Sequence, residues 1–256
     1  MGSLILPYRT RKNREYGLTS VADFGMPSGV LKNVLDDYAA FIDFAKLGVG
    51  TGYITPNVKE KINLYKQYNV EPYCGGTLFE KAYIQSKVDE YLFFLKNLDI
   101  HWVEISTGVI KIPIEERILI VEKIKQDFNV IGEVGSKDVS IEMNANEWEL
   151  EMKELINAGC QYVIAEGRDS GTAGIYNTDG EVKQELIETM STNINNNKII
   201  FEAPTPKSQM FFINLLGPNV NLGNVKLHDV LLLEAQRCGL RAETFFLEER
   251  KWTLQL

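Results

Sequence analysis

The segment NVIGEVGSKD (129–138) sets an apolar run directly against two charged groups. Asn129 to Ile131 begin a buried strand, Glu133 ends it, and Lys137 follows across glycine and serine. Three other segments repeat the pattern. HWVEISTG (101–108), QYVIAEG (161–167) and KIIFEAP (198–204) carry apolar runs into Glu104, Glu166 and Glu202. GLTSVADFG (17–25), FIDFAKLG (41–48), VEPYCGG (70–76) and NVNLGN (219–224) complete a set of eight candidate strands.

Amphipathic stretches separate these strands. VKEKINLYKQYN (58–69) places Val58, Ile62 and Tyr65 on one helical face. EERILIVEKIKQDF (115–128) does so with Ile118, Val121, Ile124 and Phe128, and EWELEMKELINAG (147–159) with Trp148, Met152 and Leu155. Spacings of three and four mark helices with one buried stripe. Gly159 supplies a helix stop, and HDVLLLEAQRCGL (228–240) reads as the last helix. Eight strands alternating with helices over about 250 residues predict a single-domain (β/α)8 TIM barrel. A doubly wound sheet is the competitor. GVGTG (48–52) is a weak nucleotide fingerprint, because no acidic residue ends the next strand to hold a ribose.

No linker divides residues 1–256, and the Asn-rich NINNNK (193–198) reads as a surface turn. A short arm at about 1–15 and a tail at about 245–256 flank the barrel. The basic arm is expected to be loose, or in part foreign to the native chain. The amphipathic tail FFLEERKWTLQL suits packing on its own barrel or on a neighbour.

The 256 residues are 45% hydrophobic, enough for a sizeable core. A net charge of −8 argues against general nucleic-acid binding. Cys74, Cys160 and Cys238 are too widely spaced for a zinc site or disulfide framework, which leads us to expect a reducing, cytoplasmic setting. No apolar run is long enough to span a membrane. Triad hydrolysis finds no support: there is no GxSxG, His101 and His228 read as structural or surface residues, and YLFF (91–94) reads as helix core.

In a barrel the C-terminal ends of the strands share one mouth. Taken in order they are Asp23, Lys46, Thr77, Glu104, Glu133, Glu166, Glu202 and Asn221, with Ser106, Lys137, Arg168 and Asn224 just beyond. A lone glutamate after a strand is usually a helix cap or a partner for lysine. Several entering one partly desolvated region need compensation from Lys46, Lys137, Arg168 or a bound cation. Clustered glutamates suit a hard cation such as Mg2+, whereas lysine and arginine suit phosphate or carboxylate. The loops after strands seven and eight of such barrels often cradle phosphate. A metal-assisted enzyme acting on a small phosphorylated acid is the expectation, without identifying the reaction.

The strand-end motifs CGGTLFE (74–80), EISTG (104–108), EVGSK (133–137), AEGRDSGTAGIY (165–176), FEAP (201–204), GPNVNLGN (217–224) and RCGLRAET (237–244) resemble those of phosphosulfolactate synthases. The resemblance runs from about Tyr16 to Thr244. It implies a (β/α)8 barrel that adds sulfite to phosphoenolpyruvate with Mg2+, giving (2R)-phospho-3-sulfolactate. That is a carbon–sulfur lyase reaction, which opens coenzyme M biosynthesis in methanogens. Under it Lys137 is the general acid, its pKa expected to be lowered toward the working range by neighbouring cations and metal. Lys46 would hold the substrate carboxylate or sulfite. Glu104, Glu133 and Glu166 would hold the metal, and Arg168, Asn221, Gly223 and Asn224 the phosphate. Asp23 and Glu202 would orient the cations. The resemblance also implies a homo-oligomer, with a trimer the first expectation. Two alternatives remain open: another enolate-forming lyase on the same barrel, and a non-catalytic member like those of a plant heat-stress branch.

Overall fold

A computed structural model describes residues 4–138, 140, 143–168 and 170–247. Eight parallel strands close into a barrel in sequence order. They are β1 (Thr19–Asp23), β2 (Phe44–Leu47), β3 (Glu71–Cys74), β4 (Trp102–Ile105), β5 (Asn129–Val134), β6 (Tyr162–Ala165), β7 (Ile199–Glu202) and β8 (Asn221–Lys226). Each overlaps its predicted segment. The helices are α1 (Ser28–Tyr38), α2 (Thr51–Ile54), α3 (Val58–Gln67), α4 (Thr77–Ile84), α5 (Val88–Asn97), α6 (Ile114–Ile124), α7 (Ala145–Ala158), α8 (Gln184–Asn193), α9 (Pro206–Leu216) and α10 (Val230–Arg237). The single-domain barrel is thus as expected. None of the described helices is long and apolar enough to cross a membrane.

The helical stripes bury as their spacing requires. Ile62 and Tyr65 of α3, Val121 and Ile124 of α6, and Trp148, Met152 and Leu155 of α7 pack against the outer face of the sheet. The start of α7 is fixed by reciprocal hydrogen bonds between Asn144 and Glu147, which satisfy two otherwise open backbone donors. YLFF splits: Tyr91 and Leu92 are buried in α5, while Phe93 is 66% exposed.

A smaller apolar cluster fills the barrel interior below the mouth. It comprises Leu18, Phe44, Tyr73, Ile131, Tyr162, Ile164 and Ile200, with Trp102 against it. The Phe44 and Trp102 rings meet edge-on at 4.8 Å. These side chains form a dry floor.

From Arg9 onward the N-terminal arm is anchored to the barrel. It closes the bottom of the barrel, because the strand beginnings there leave carbonyls and a loop amide for it to bind. Arg9 donates to both carboxylate oxygens of Glu234 in α10, at 3.0 and 3.1 Å, and to Asn219 Oδ1 at 2.6 Å. Arg14 pairs with Asp43 at 2.9 Å, and Asp43 accepts from the Thr19 amide at 2.8 Å. The Tyr162 hydroxyl donates to the Glu15 carbonyl. Of the predicted tail, Phe245 and Phe246 are exposed and Leu247 is buried; the remainder lies outside the described residues.

Burial opposes ionisation of Glu234, but Arg9 outweighs it and holds the carboxyl below its usual range. The stabilisation is present above the unfolded-state pKa and is lost as pH falls through the folded value. Arg9→Ala is expected to cost about 2–4 kcal/mol in urea unfolding near neutral pH. It should also weaken the acid-side loss of stability. An unchanged unfolding midpoint would contradict this role for the strap.

Candidate active site

Strand parity decides which polar groups enter the barrel. Lys46 of β2 is in register with Ala22 of β1 and Tyr73 of β3, so it points inward above the apolar floor. Glu104, Glu133 and Glu202 also face inward, and Glu166 follows β6 immediately. All four carboxylates are buried. Glu104 fits only because its neighbour on the next strand is glycine: a Cβ on Gly75 would lie 2.2 Å from that of Glu104.

Lys46 sits among the carboxylates. Its Nζ is 2.7 Å from Glu104, 3.6 Å from Glu133 and 3.8 Å from Glu202. Burial lowers its pKa, but these three neighbours outweigh it, and Lys46 is held charged. Glu104 is further engaged: Oε1 accepts from the Gly76 amide at 2.7 Å and from the Ser106 hydroxyl at 2.7 Å. Lys137 reaches Glu166 at 3.6 Å from the turn after β5.

Three of the carboxylates converge. Oxygens of Glu133, Glu166 and Glu202 converge within 4.8 Å of one another. Both oxygens of Glu133 and Oε2 of Glu166 are buried without a hydrogen bond. The other Glu166 oxygen accepts from the Arg168 amide, and Glu202 Oε2 from the Gly167 amide at 3.0 Å. With all four glutamates ionised against two ammonium groups, two negative charges would be left over, to be met by a cation or by protons. Oxygen-only donors, unpaired lone pairs and such an excess fit a hard divalent cation. The set differs in one member from the sequence expectation: Glu202 joins Glu133 and Glu166, while Glu104 is committed to Lys46, Ser106 and Gly76.

Protonation follows the same balance. Burial raises Glu166, and Glu202 and Glu133 raise it further, so it binds a proton well above the usual carboxylate range. Glu202 is raised chiefly by burial, against Lys46. Glu133 moves the other way: burial opposes, but Lys137 and Lys46 win. Lys137 departs from expectation in sign. Burial lowers it, but Glu133 and Glu166 outweigh burial and raise it above the ordinary lysine value.

Two expected site residues lie elsewhere. Asp23 points outward, where its carboxylate accepts from Lys61 Nζ, the Tyr65 hydroxyl and the amides of Gly25 and Met26. It ties β1 to α3 and is not available to substrate. Asn221 starts β8 at the floor of the barrel. Its amide donates to the carbonyls of Asn197 and Ile199 and accepts from the Leu18 amide, which leaves nothing for phosphate.

Gly223 pairs with Glu202, and a side chain there would press within 3.0 Å of Ile200. Asn224 is left-handed at φ 53°, and the β1–β8 register shifts across this position. The bulge carries β8 on to Lys226, in register with Ala22 and exposed at the rim. Lys226 is the mouth cation that sequence reading missed; its signal was the asparagine tolerated at a left-handed bulge. Arg168 is exposed just beyond β6, two strands from β8, and is also left-handed at φ 52°. His101 and His228 are exposed and lie outside this cluster.

With this arrangement established, comparison with known proteins is specific. The sequence profile of (2R)-phospho-3-sulfolactate synthase (ComA) matches residues 7–243. The chain belongs to the phosphosulfolactate synthase family. It is 39% identical to the phosphosulfolactate synthase of Bacillus subtilis, over 96% of this chain and 98% of that protein. It is 40% identical to that of Methanocaldococcus jannaschii, over 90% and 94%. Solved structures agree in fold alone. A chain of the Amycolatopsis orientalis BexX/CysO complex superposes with a TM-score of 0.56 at 12% identity, covering 96% of this chain and 97% of that one. The 3-hexulose-6-phosphate synthase of Salmonella typhimurium gives 0.55 at 13%, covering 86% and 99%.

For a carboxyl with a raised folded pKa, stabilisation is complete below the unfolded value of about 4.3 and is lost as pH rises through the folded one. Metal-free protein should therefore lose thermal stability as pH rises above the unfolded carboxylate range, and Glu166→Gln should flatten that loss. A Tm in the native sequence that does not fall with that rise would contradict the assignment.

Proposed function

We propose that this chain is a phosphosulfolactate synthase, joining sulfite to phosphoenolpyruvate to give (2R)-phospho-3-sulfolactate as a carbon–sulfur lyase. The observation that carries the reading is the mouth itself: four buried glutamates against two lysines, with three of the carboxylates converging, in a member of this family. Glu133, Glu166 and Glu202 would hold Mg2+, which when bound acts as a Lewis acid on negative charge developing at the substrate carboxylate.

Sulfite sulfur attacks C3 of phosphoenolpyruvate, forming the C–S bond. The electron pair of the C2–C3 double bond moves to C2 and spreads over the adjacent carboxylate. Lys46, fixed by Glu104, offers a permanent positive charge beside that carboxylate or the incoming sulfite. Lys137 then gives its proton to C2. Its raised pKa leaves it fully protonated in the resting site, the correct state for a general acid. Arg168 and Lys226, exposed at the rim, are the proposed phosphate contacts. Gly223 and Asn224 shape the wall beneath Lys226. The three cysteines are free, which supports placing the protein in the reducing cytoplasm.

The test combines purified protein, phosphoenolpyruvate, sulfite and Mg2+, with product read by mass spectrometry. Product should require all three components and fall below detection in Lys137→Ala that retains its fold. Failure of the metal-loaded native protein to form product would redirect the assignment to another enolate-forming reaction or to a non-catalytic role.

Metal binding offers a separate check, because ligands must shed protons to bind a cation. Mg2+ added to metal-free protein in weak buffer should release protons, and Glu166→Gln should release fewer. Equal release from both proteins would remove Glu166 from the ligand set.

A further inference from the structure

Glu80 is a buried carboxylate whose hydrogen bonds go to backbone amides, not to the carboxylate cluster or the lysines; burial raises its pKa, and Glu133 and Lys137 act on it only through space. It projects from α4 and is 3% exposed. Its Oε2 accepts two backbone hydrogen bonds, from the amides of Val109 and Ile110, each at 2.8 Å. Both amides belong to the loop between β4 and α6. That loop is braced within itself: Thr107 Oγ1 donates to the Ile110 carbonyl at 2.8 Å and accepts from the Ile112 amide at 3.1 Å.

The braced loop lies directly against the proton donor. The Lys137 amide donates to the Gly108 carbonyl at 2.8 Å. A Cβ on Gly108 would come within 3.0 Å of Glu133 Oε1 and 3.1 Å of both Cδ and Cε of Lys137. The Gly108 backbone therefore forms the wall along which the Lys137 stem runs. Position at Lys137 thus depends on position at Gly108, and Glu80 pins the next two residues.

We propose that Glu80 is a positioning residue for Lys137, holding the 107–112 loop so that the Gly108 carbonyl and backbone fix the path of the lysine stem. The catalytic consequence rests on Lys137 as proton donor; the structural coupling does not. Burying a carboxylate is costly unless its bonds offset the lost hydration. Here one oxygen is spent on the loop, and the other is buried without a hydrogen bond. Charge-assisted bonds from two adjacent amides are stronger than neutral ones, which suits a loop that must not drift.

Three variants of the full chain test this: Glu80→Ala, Glu80→Gln and Gly108→Ala. Steady-state turnover of phosphoenolpyruvate and sulfite with Mg2+ is measured beside amide hydrogen exchange over 107–112 and 135–138. A small misplacement of a reacting group can cost about 100-fold in rate, so Glu80→Ala should lower kcat by about 10- to 100-fold. KM for phosphoenolpyruvate should change by less than about threefold, since the loop acts on the proton donor and not on uniform substrate binding. Exchange should accelerate in both segments. Glu80→Gln keeps an oxygen able to accept both amides and should restore kcat to within about threefold of native. Gly108→Ala should reproduce the kcat loss with Glu80 intact.

Faster exchange at 107–112 with an unchanged Lys137 amide would overturn the proposal, as would native kcat in Glu80→Ala. A Glu80→Gln variant as slow as Glu80→Ala would also overturn it, by showing that charge and not loop placement matters. If Glu80→Ala does not fold, Gly108→Ala decides: unchanged kcat and exchange would sink the coupling. If native protein makes no product, the reading of the reaction fails, and hydrogen exchange still decides whether Glu80 positions Lys137.

Discussion

One buried ammonium organises the mouth of this barrel. Lys46 lies within 4 Å of three glutamates, all of them buried. Like charges 4 Å apart repel by about 4 kcal/mol at the effective permittivity of a protein. Glu133, Glu166 and Glu202 would not stay together without a cation, a proton or rigid backbone to oppose that repulsion. Lys46 supplies the first, the raised Glu166 carboxyl the second, and the closed sheet the third. A site poised in this way has affinity for positive charge built into its resting state.

The rest of the fold serves that constraint. The apolar floor beneath Lys46 denies the carboxylates solvent from below, and the N-terminal strap seals the floor. Behind the sheet, buried Arg117 donates to the Glu133 carbonyl and pairs with Glu151, fixing the strand that carries the least satisfied carboxylate. Asp23, with Lys61 and Tyr65, does comparable work on the far side of the barrel. The ion pairs that lock the fold thus lie below and outside the ring of charges proposed to do the chemistry.

Much of this was legible in the sequence, and the exceptions have common causes. Glu104, Glu133, Glu166 and Glu202 each follow an apolar run, and each entered the mouth as that pattern suggests. Asp23 follows an equally apolar run yet faces outward, because Ala22 takes the inward position. A shift of one residue exchanges the faces of a strand, and composition does not report that parity. Asn221 was misplaced because NVNLGN reads as a strand ending at Asn224. The left-handed bulge there prolongs β8 to Lys226, so the apparent top of the strand is its floor. The direction of the Lys137 shift was also beyond sequence. It depends on the distances to Glu133 and Glu166, which only closure of the barrel sets.

Closure also explains how one short segment brings both a carboxylate, the proposed metal ligand, and an ammonium, the proposed acid, to the mouth. Glu133 reaches the mouth from within β5, along the pleat of the strand. Lys137 cannot follow the same path, since the strand has ended. Gly135, at φ 116°, turns the chain, and the Lys137 amide then anchors on the Gly108 carbonyl. The lysine comes back over the carboxylates from the rim, its side chain 25% exposed, while Glu166 is fully buried beneath it. Carboxylate and ammonium therefore approach the same small volume from below and from above. In the proposed reaction a substrate lying between them would turn its carboxylate toward Lys46 and its carbon skeleton toward Lys137. The glycine and serine that make the turn look flexible in sequence are what permit this reversal, and the neighbouring loop supplies the rigidity they lack.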